Sequence, residues 1–165
     1  MPPRLIILCG LPGSGKTTLA KRLENELALV RLCPDEWMAD LGIDLWDEST
    51  RDRLENRFSQ LALTLLRRGQ SVVLEYGFWG RSERDQKRAE ARSVGAVIDL
   101  YYLNPPPEEL WQRLMKRNQI GGPVNVPISR AKLEEYSRII QPPDAAEFAL
   151  FDHAAEVVDP RLHAL

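Results

Sequence analysis

Leu5-Ile6-Ile7-Leu8-Cys9-Gly10-Leu11-Pro12-Gly13-Ser14-Gly15-Lys16-Thr17 is an apolar run that empties into a glycine-rich turn ending in Lys-Thr. A short, continuously apolar run of this kind suits a parallel strand buried on both faces. From Gly10 the chain fits G-x-x-x-x-G-K-[ST] at every required position. Gly10, Gly13 and Gly15 permit positive φ, so that successive N–H groups can turn inward around a phosphate at the positive end of the following helix. Lys16 is placed to reach β- and γ-phosphates as a point charge, and the Thr17 hydroxyl to ligate Mg²⁺. The nucleotide contacts expected here run from Gly10, Leu11, Pro12, Gly13, Ser14 and Gly15 through Lys16, Thr17 and Thr18.

Outward from this loop, apolar runs and helical patterns alternate. Leu19, Leu23 and Leu27 recur on one face of a helix expected from Gly15 to about Ala28. Leu29–Leu32 reads as a second strand, and Pro34 closes it or opens the next helix. A long helix is expected over 49–68, where Leu54, Phe58, Leu61, Ala62, Leu65 and Leu66 share a face and Gly69 provides the stop. Ser71–Glu75 is a third strand, followed by the loop Tyr76-Gly77-Phe78-Trp79-Gly80 and a charged helix over 81–94. Ala96–Leu103 is a fourth strand, a helix begins near Pro107, and residues 118–127, with Gly121-Gly122-Pro123, break regular structure and suggest a lid over about 118–130. A helix over 129–140 and a last strand over 154–158 complete one domain spanning 1–165. Strict alternation of this kind makes an α/β chain with a parallel sheet covered on both faces.

Ligands of such sheets collect at the carboxyl ends of the strands, so the residues there are the candidates. Asp35 follows the second strand and is expected to orient and deprotonate an acceptor hydroxyl; as a bland alternative it is a helix-start acid that favours the macrodipole. Glu75 ends the third strand, where an acid holds Mg²⁺ through water or touches the acceptor. Trp79, flanked by Gly80 in the loop, is a candidate acceptor wall, with Arg84 nearby as a substrate contact. Arg113 and Arg117 share a helix face at i and i+4 ahead of the lid. Arg130 and Lys132 could close over phosphate from the lid side. His153 and His163 have no ligand spacing and receive no role.

The totals narrow the class. The 165 residues are 44% hydrophobic and 28% charged, ordinary for a soluble globular protein. With 22 basic and 24 acidic residues the net charge is −2, which gives no general pull toward nucleic acid or membrane. No apolar run approaches the roughly 20 residues a bilayer requires, and the start lacks a signal-peptide layout. Cys9 and Cys33 read as buried free thiols in a reducing compartment, and the expected location is the cytoplasm.

Taken together, Gly10–Thr17, Asp35 after the second strand, and Arg113 with Arg117 before a short lid resemble the small P-loop kinases of the adenylate-kinase-like group. The subgroup most similar contains chloramphenicol phosphotransferase, zeta toxins and the kinase domain of polynucleotide kinases. Leu74–Trp79, and Phe148 near Pro142-Pro143, also resemble an uncharacterised bacterial branch of that group. The resemblance implies a three-layer P-loop fold with a five-stranded parallel sheet in the order 2-3-1-4-5, and ATP and Mg²⁺ as cofactors. It implies that Asp35 contacts the acceptor hydroxyl, that Arg113 lies against adenine and that Arg117 reaches the phosphates. The third strand of related NTPases usually ends in Asp, where this chain has Glu75. The function implied is phosphoryl transfer from ATP to a hydroxyl of a small molecule. A 5′-hydroxyl oligonucleotide is the alternative acceptor if Arg81, Arg84 and Arg88 build a basic groove, and a nucleotide-binding switch without an acceptor is the alternative class.

Overall fold

The computed structural model describes residues 1–162; His163 lies outside them. The first strand, β1 (Arg4–Gly10), feeds the phosphate loop and α1 (Lys16–Leu27). The chain continues through β2 (Val30–Leu32), α2 (Pro34–Asp40), α3 (Glu48–Arg67), β3 (Val72–Leu74), α4 (Arg81–Ser93) and β4 (Val97–Leu103). It ends with α5 (Pro107–Ile120), α6 (Arg130–Ile139), α7 (Ala145–Phe148) and β5 (His153–Val157). The strands form one parallel sheet in the order β2-β3-β1-β4-β5, the order the resemblance implied.

Central β1 explains why the sheet is covered twice. Leu5, Ile7 and Cys9 face a core completed by Phe58, Ala62 and Leu66 of α3 and Ala91 of α4. Ile6 and Leu8 face the opposite core, where Leu19, Ala20 and Leu23 of α1 pack. Alternation of side chains along a strand thus sends every second residue to a different layer. A fully buried leucine or isoleucine contributes roughly 1.5–3 kcal/mol by leaving water, and the five apolar residues Leu5 to Cys9 are at most 1% exposed. A smaller cluster of Leu110, Leu114, Ile128 and Leu133 joins α5 to α6, with Leu11 of the phosphate loop against it.

Of the two readings open for Pro34, the structure has the helix start: it occupies the first helical position behind Cys33. Elsewhere the boundaries differ from the sequence reading. Helix α5 runs two residues past Asn118, because the chain stops only where Gly121 and Gly122 adopt positive φ. Asn118 then pins the irregular 121–129 segment: its side-chain N–H donates to the Ile128 carbonyl at 2.8 Å and its oxygen accepts from the Ile128 N–H at 3.2 Å. The short α7, capped by Asp144, carried no periodic signal and was not anticipated. Both cysteines are buried and free. Among the described residues, no helix is long and apolar enough to cross a membrane.

Candidate active site

The phosphate loop is shaped by space as much as by torsion. Gly13 and Gly15 do take positive φ, +79° and +103°. Gly10 does not; it closes β1, and its role is room, since a Cβ there would lie 2.6 Å from the Ser14 hydroxyl and 3.0 Å from the Leu103 carbonyl oxygen. A Cβ at Gly15 would also meet Pro160 at 2.6 Å. No side chain caps the N-terminus of α1, so the first-turn N–H groups are left for an anion.

Lys16 folds back onto its own loop. Its ammonium donates to the Gly10 and Leu11 carbonyls at 2.9 Å each. Burial lowers its pKa to about 8, against the opposing pull of the Glu75 carboxylate. Thr17 donates its hydroxyl to one oxygen of Glu75. The other Glu75 oxygen accepts from Arg31 at 2.7 Å. A threonine hydroxyl beside a carboxylate is an oxygen donor set of the kind Mg²⁺ prefers. Among the described residues no group of three or more His, Cys, Asp or Glu side chains could hold a metal. The fit is therefore to an ion that completes its shell with phosphate oxygens and water.

Lys16, Thr17 and Glu75 line a cleft of about 1060 Å³. Asp35 lines the same cleft from the first turn of α2, held by Arg51 of α3 at 2.6 Å. Glu55, one helical turn further along α3, lines it as well; burial raises its pKa to about 7, while Arg51 pulls the other way. Arg113 and Arg117 enter from α5. Arg113 donates to the Ser14 carbonyl at 3.3 Å and to Glu109. Arg117 donates to the Val126 carbonyl at 3.4 Å, and its buried Nε has no partner. Burial lowers the Arg117 pKa, with Asp35 opposing. Cys33 also lines the cleft, yet burial pushes its thiol up to about 12, so no thiolate chemistry is set there.

Trp79 does face the cleft, but its ring is also structural. Its indole N–H donates to the Gly10 carbonyl at 3.0 Å, its ring packs on Tyr136 of α6 at 4.9 Å, and its carbonyl accepts from Gln141 at 2.9 Å. It therefore ties the phosphate loop to α6.

Arg84 is a correction. Its side chain is fully buried below the aromatic loop rather than in the cleft. The guanidinium donates to Glu147 at 2.7 and 2.9 Å and to the carbonyls of Phe78, Trp79 and Gln141. A charge so completely committed has nothing left for substrate. The basic groove that would have favoured an oligonucleotide loses Arg84 to the interior, and Arg81 pairs with Asp85 and Glu147 and Arg88 with Asp85. Arg130 and Lys132 pair outward with Glu108, Glu134 and Glu135 and do not line the cleft.

Four contributors escaped the sequence reading: Arg31, Arg51, Glu55, and the turn Asp159-Pro160-Arg161 after β5. Only the last had a usable signal, its position at a strand's carboxyl end.

A candidate kinase from Chloroflexus aurantiacus J-10-fl is 26% identical, with 99% of this chain and 93% of that chain covered and a TM-score of 0.78. A sugar kinase from Janibacter sp. HTCC2649 is 22% identical over 97% of this chain and 89% of that one, with a TM-score of 0.68, a likeness of fold. A chain of the Pnkp1/Rnl/Hen1 RNA repair complex is 25% identical over 91% of this chain and 46% of that chain, with a TM-score of 0.70. No curated protein matches the chain. The chain carries a kinase-like P-loop fold and belongs to the AAA domain family, whose profile matches residues 5–143.

Proposed function

We propose that this protein is a small-molecule kinase, moving the γ-phosphate of Mg-bound ATP to a hydroxyl of its acceptor. The observation that carries the reading is the shared cleft, lined by Lys16, Thr17, Glu75, the Asp35 carboxylate, Arg113 and Arg117. A phosphate cradle, an acid for the attacking hydroxyl and cations for the equatorial oxygens are the parts that phosphoryl transfer requires. Mg·ATP supplies the phosphoryl group and the neutralisation of its leaving oxygens.

The chain's own residues do the rest. Lys16 exchanges two carbonyl contacts for phosphate oxygens. Thr17 and Glu75 are the residues that would hold Mg²⁺, which would supply charge neutralisation on the metal side of the nucleotide. Arg117, with its unpartnered buried Nε, faces the charge that develops between donor and acceptor. Asp35 accepts the hydrogen bond of the acceptor hydroxyl and takes its proton as the new O–P bond forms and the bridging P–O bond of ATP breaks. Arg51 fixes that carboxylate. Val126 and Ile128 of the 121–129 segment, with Tyr136, also line the cleft and serve to exclude water.

A small acceptor is favoured over an oligonucleotide because Arg81, Arg84 and Arg88 are spent on carboxylates and carbonyls. The test is transfer of labelled γ-phosphate from Mg·ATP to a panel of sugars, amino alcohols, nucleosides, chloramphenicol-like alcohols and 5′-hydroxyl oligonucleotides. Label on one small-molecule class supports the proposal. Label on the oligonucleotides alone would move the acceptor to nucleic acid.

A further inference from the structure

The interior of β2 carries a cation with no place in the phosphate-loop pattern. Arg31 has a side chain only 9% exposed and meets three carboxylates from three different elements. Its Nη1 donates to Glu75 at 2.7 Å, its Nη2 to Glu36, and its Nε to Glu24 at 3.2 Å. Glu75 is itself 5% exposed on its side chain, and its remaining oxygen accepts from Thr17. Glu36 directly follows Asp35 in α2.

We infer that Arg31 is a positioning residue that aims Glu75 at the metal side of the nucleotide and ties it to the helix bearing Asp35. The inference rests on the kinase reading for the identity of what fills the cleft. Its physical basis is the division of the Glu75 carboxylate. One guanidinium N–H occupies one oxygen, and the Thr17 hydroxyl meets the other, so the carboxylate is held from both ends. Without that partner, Glu75 would be a buried carboxylate whose nearest remaining cation is Lys16, whose charge it already favours. The Glu36 contact extends the same clamp to the first turn of α2, so that one side chain sets the spacing between the metal-side and acceptor-side carboxylates. Glu24, on α1, does not line the cleft and anchors only the outer edge of the guanidinium.

The test measures ADP binding calorimetrically across a Mg²⁺ series, with no acceptor present. In Arg31→Gln the Mg²⁺ concentration that half-tightens ADP binding should rise about 10- to 100-fold, the usual cost of losing a residue that orients a metal-side carboxylate. Mg-free ADP binding should be unchanged. Arg31→Lys keeps the charge without the fork and should fall between, and it carries the test should Arg31→Gln fail to fold. Glu24→Gln should match the wild type. An unchanged Mg²⁺ half-point in both Arg31 variants would overturn the inference, as would an equal shift in Glu24→Gln. Because no acceptor is needed, failure of the acceptor panel would count against the kinase reading alone.

Discussion

Arg51 holds Asp35 at 2.6 Å in the cleft, joining the third helix to the first turn of the second. Both side chains are partly open to water, 26% and 49% exposed. The pair is therefore a device for aiming a carboxylate more than for stabilising the fold. Arg51→Ala should leave the melting temperature nearly unchanged, since such pairs contribute about 0–1 kcal/mol. It should lower kcat by about 10- to 100-fold, as misplacement of a reacting group does. Steady-state kinetics beside thermal melts separate the two effects.

Lys16 gives the nucleotide site a pH dependence. Burial lowers its pKa to about 8 in the free protein, and phosphate binds only the charged form. Below about pH 8 the charge is present and ADP affinity should be flat. As pH rises through 8 the charge is lost, and affinity should fall by up to about tenfold per unit. Lys16→Arg should flatten that decline, because guanidinium stays charged throughout. Calorimetric ADP titrations over this range check both.

Glu55 should give the fold a pH dependence of its own. Its folded-state pKa, raised to about 7 chiefly by burial, lies above its unfolded value, so the folded protein holds the proton more tightly. The penalty of charging it is absent below about pH 4.3, grows as pH rises toward 7, and is complete above that. Glu55→Gln should raise the melting temperature at pH 8 and have little effect at pH 4.

The buried pair of Arg84 and Glu147 should be the most sensitive ion pair in the fold. Their side chains are 0% and 2% exposed, and their closest approach is 2.7 Å. Glu147→Ala strands a fully buried guanidinium and should cost about 3–5 kcal/mol in urea unfolding, whereas Arg84→Met with Glu147→Leu should be markedly less harmful. The single substitution should also perturb Trp79 fluorescence, because Arg84 donates to the Trp79 carbonyl.

The parts legible in the sequence were those encoded locally. An apolar strand, a Gly-Lys-Thr turn and a helix occupy consecutive residues, and Asp35 could be found because it follows a strand. Contacts between distant segments left no local trace. Arg84 and Glu147 are 63 residues apart, and in the sequence Arg84 reads as one more charge on a hydrophilic helix. Arg31 breaks a strand of only three residues, too short for its burial pattern to register. Arg51 and Glu55 lie on the polar side of an amphipathic helix, where nothing but the packing of α3 beside α2 distinguishes a cleft-facing charge from a solvated one. The end of α5 was misplaced because Asn118 looks like a breaker, yet its side chain bonds Ile128 from within the helix.

The most direct test of the account follows labelled γ-phosphate in the wild type and in Asp35→Ala, partitioning it between acceptor and inorganic phosphate. The account predicts that the wild type labels a small hydroxyl-bearing acceptor in preference to water. It predicts that Asp35→Ala binds ADP as the wild type does but loses acceptor labelling. Equal slow hydrolysis in both proteins, with no acceptor labelled, would contradict it and make the chain a nucleotide-binding switch.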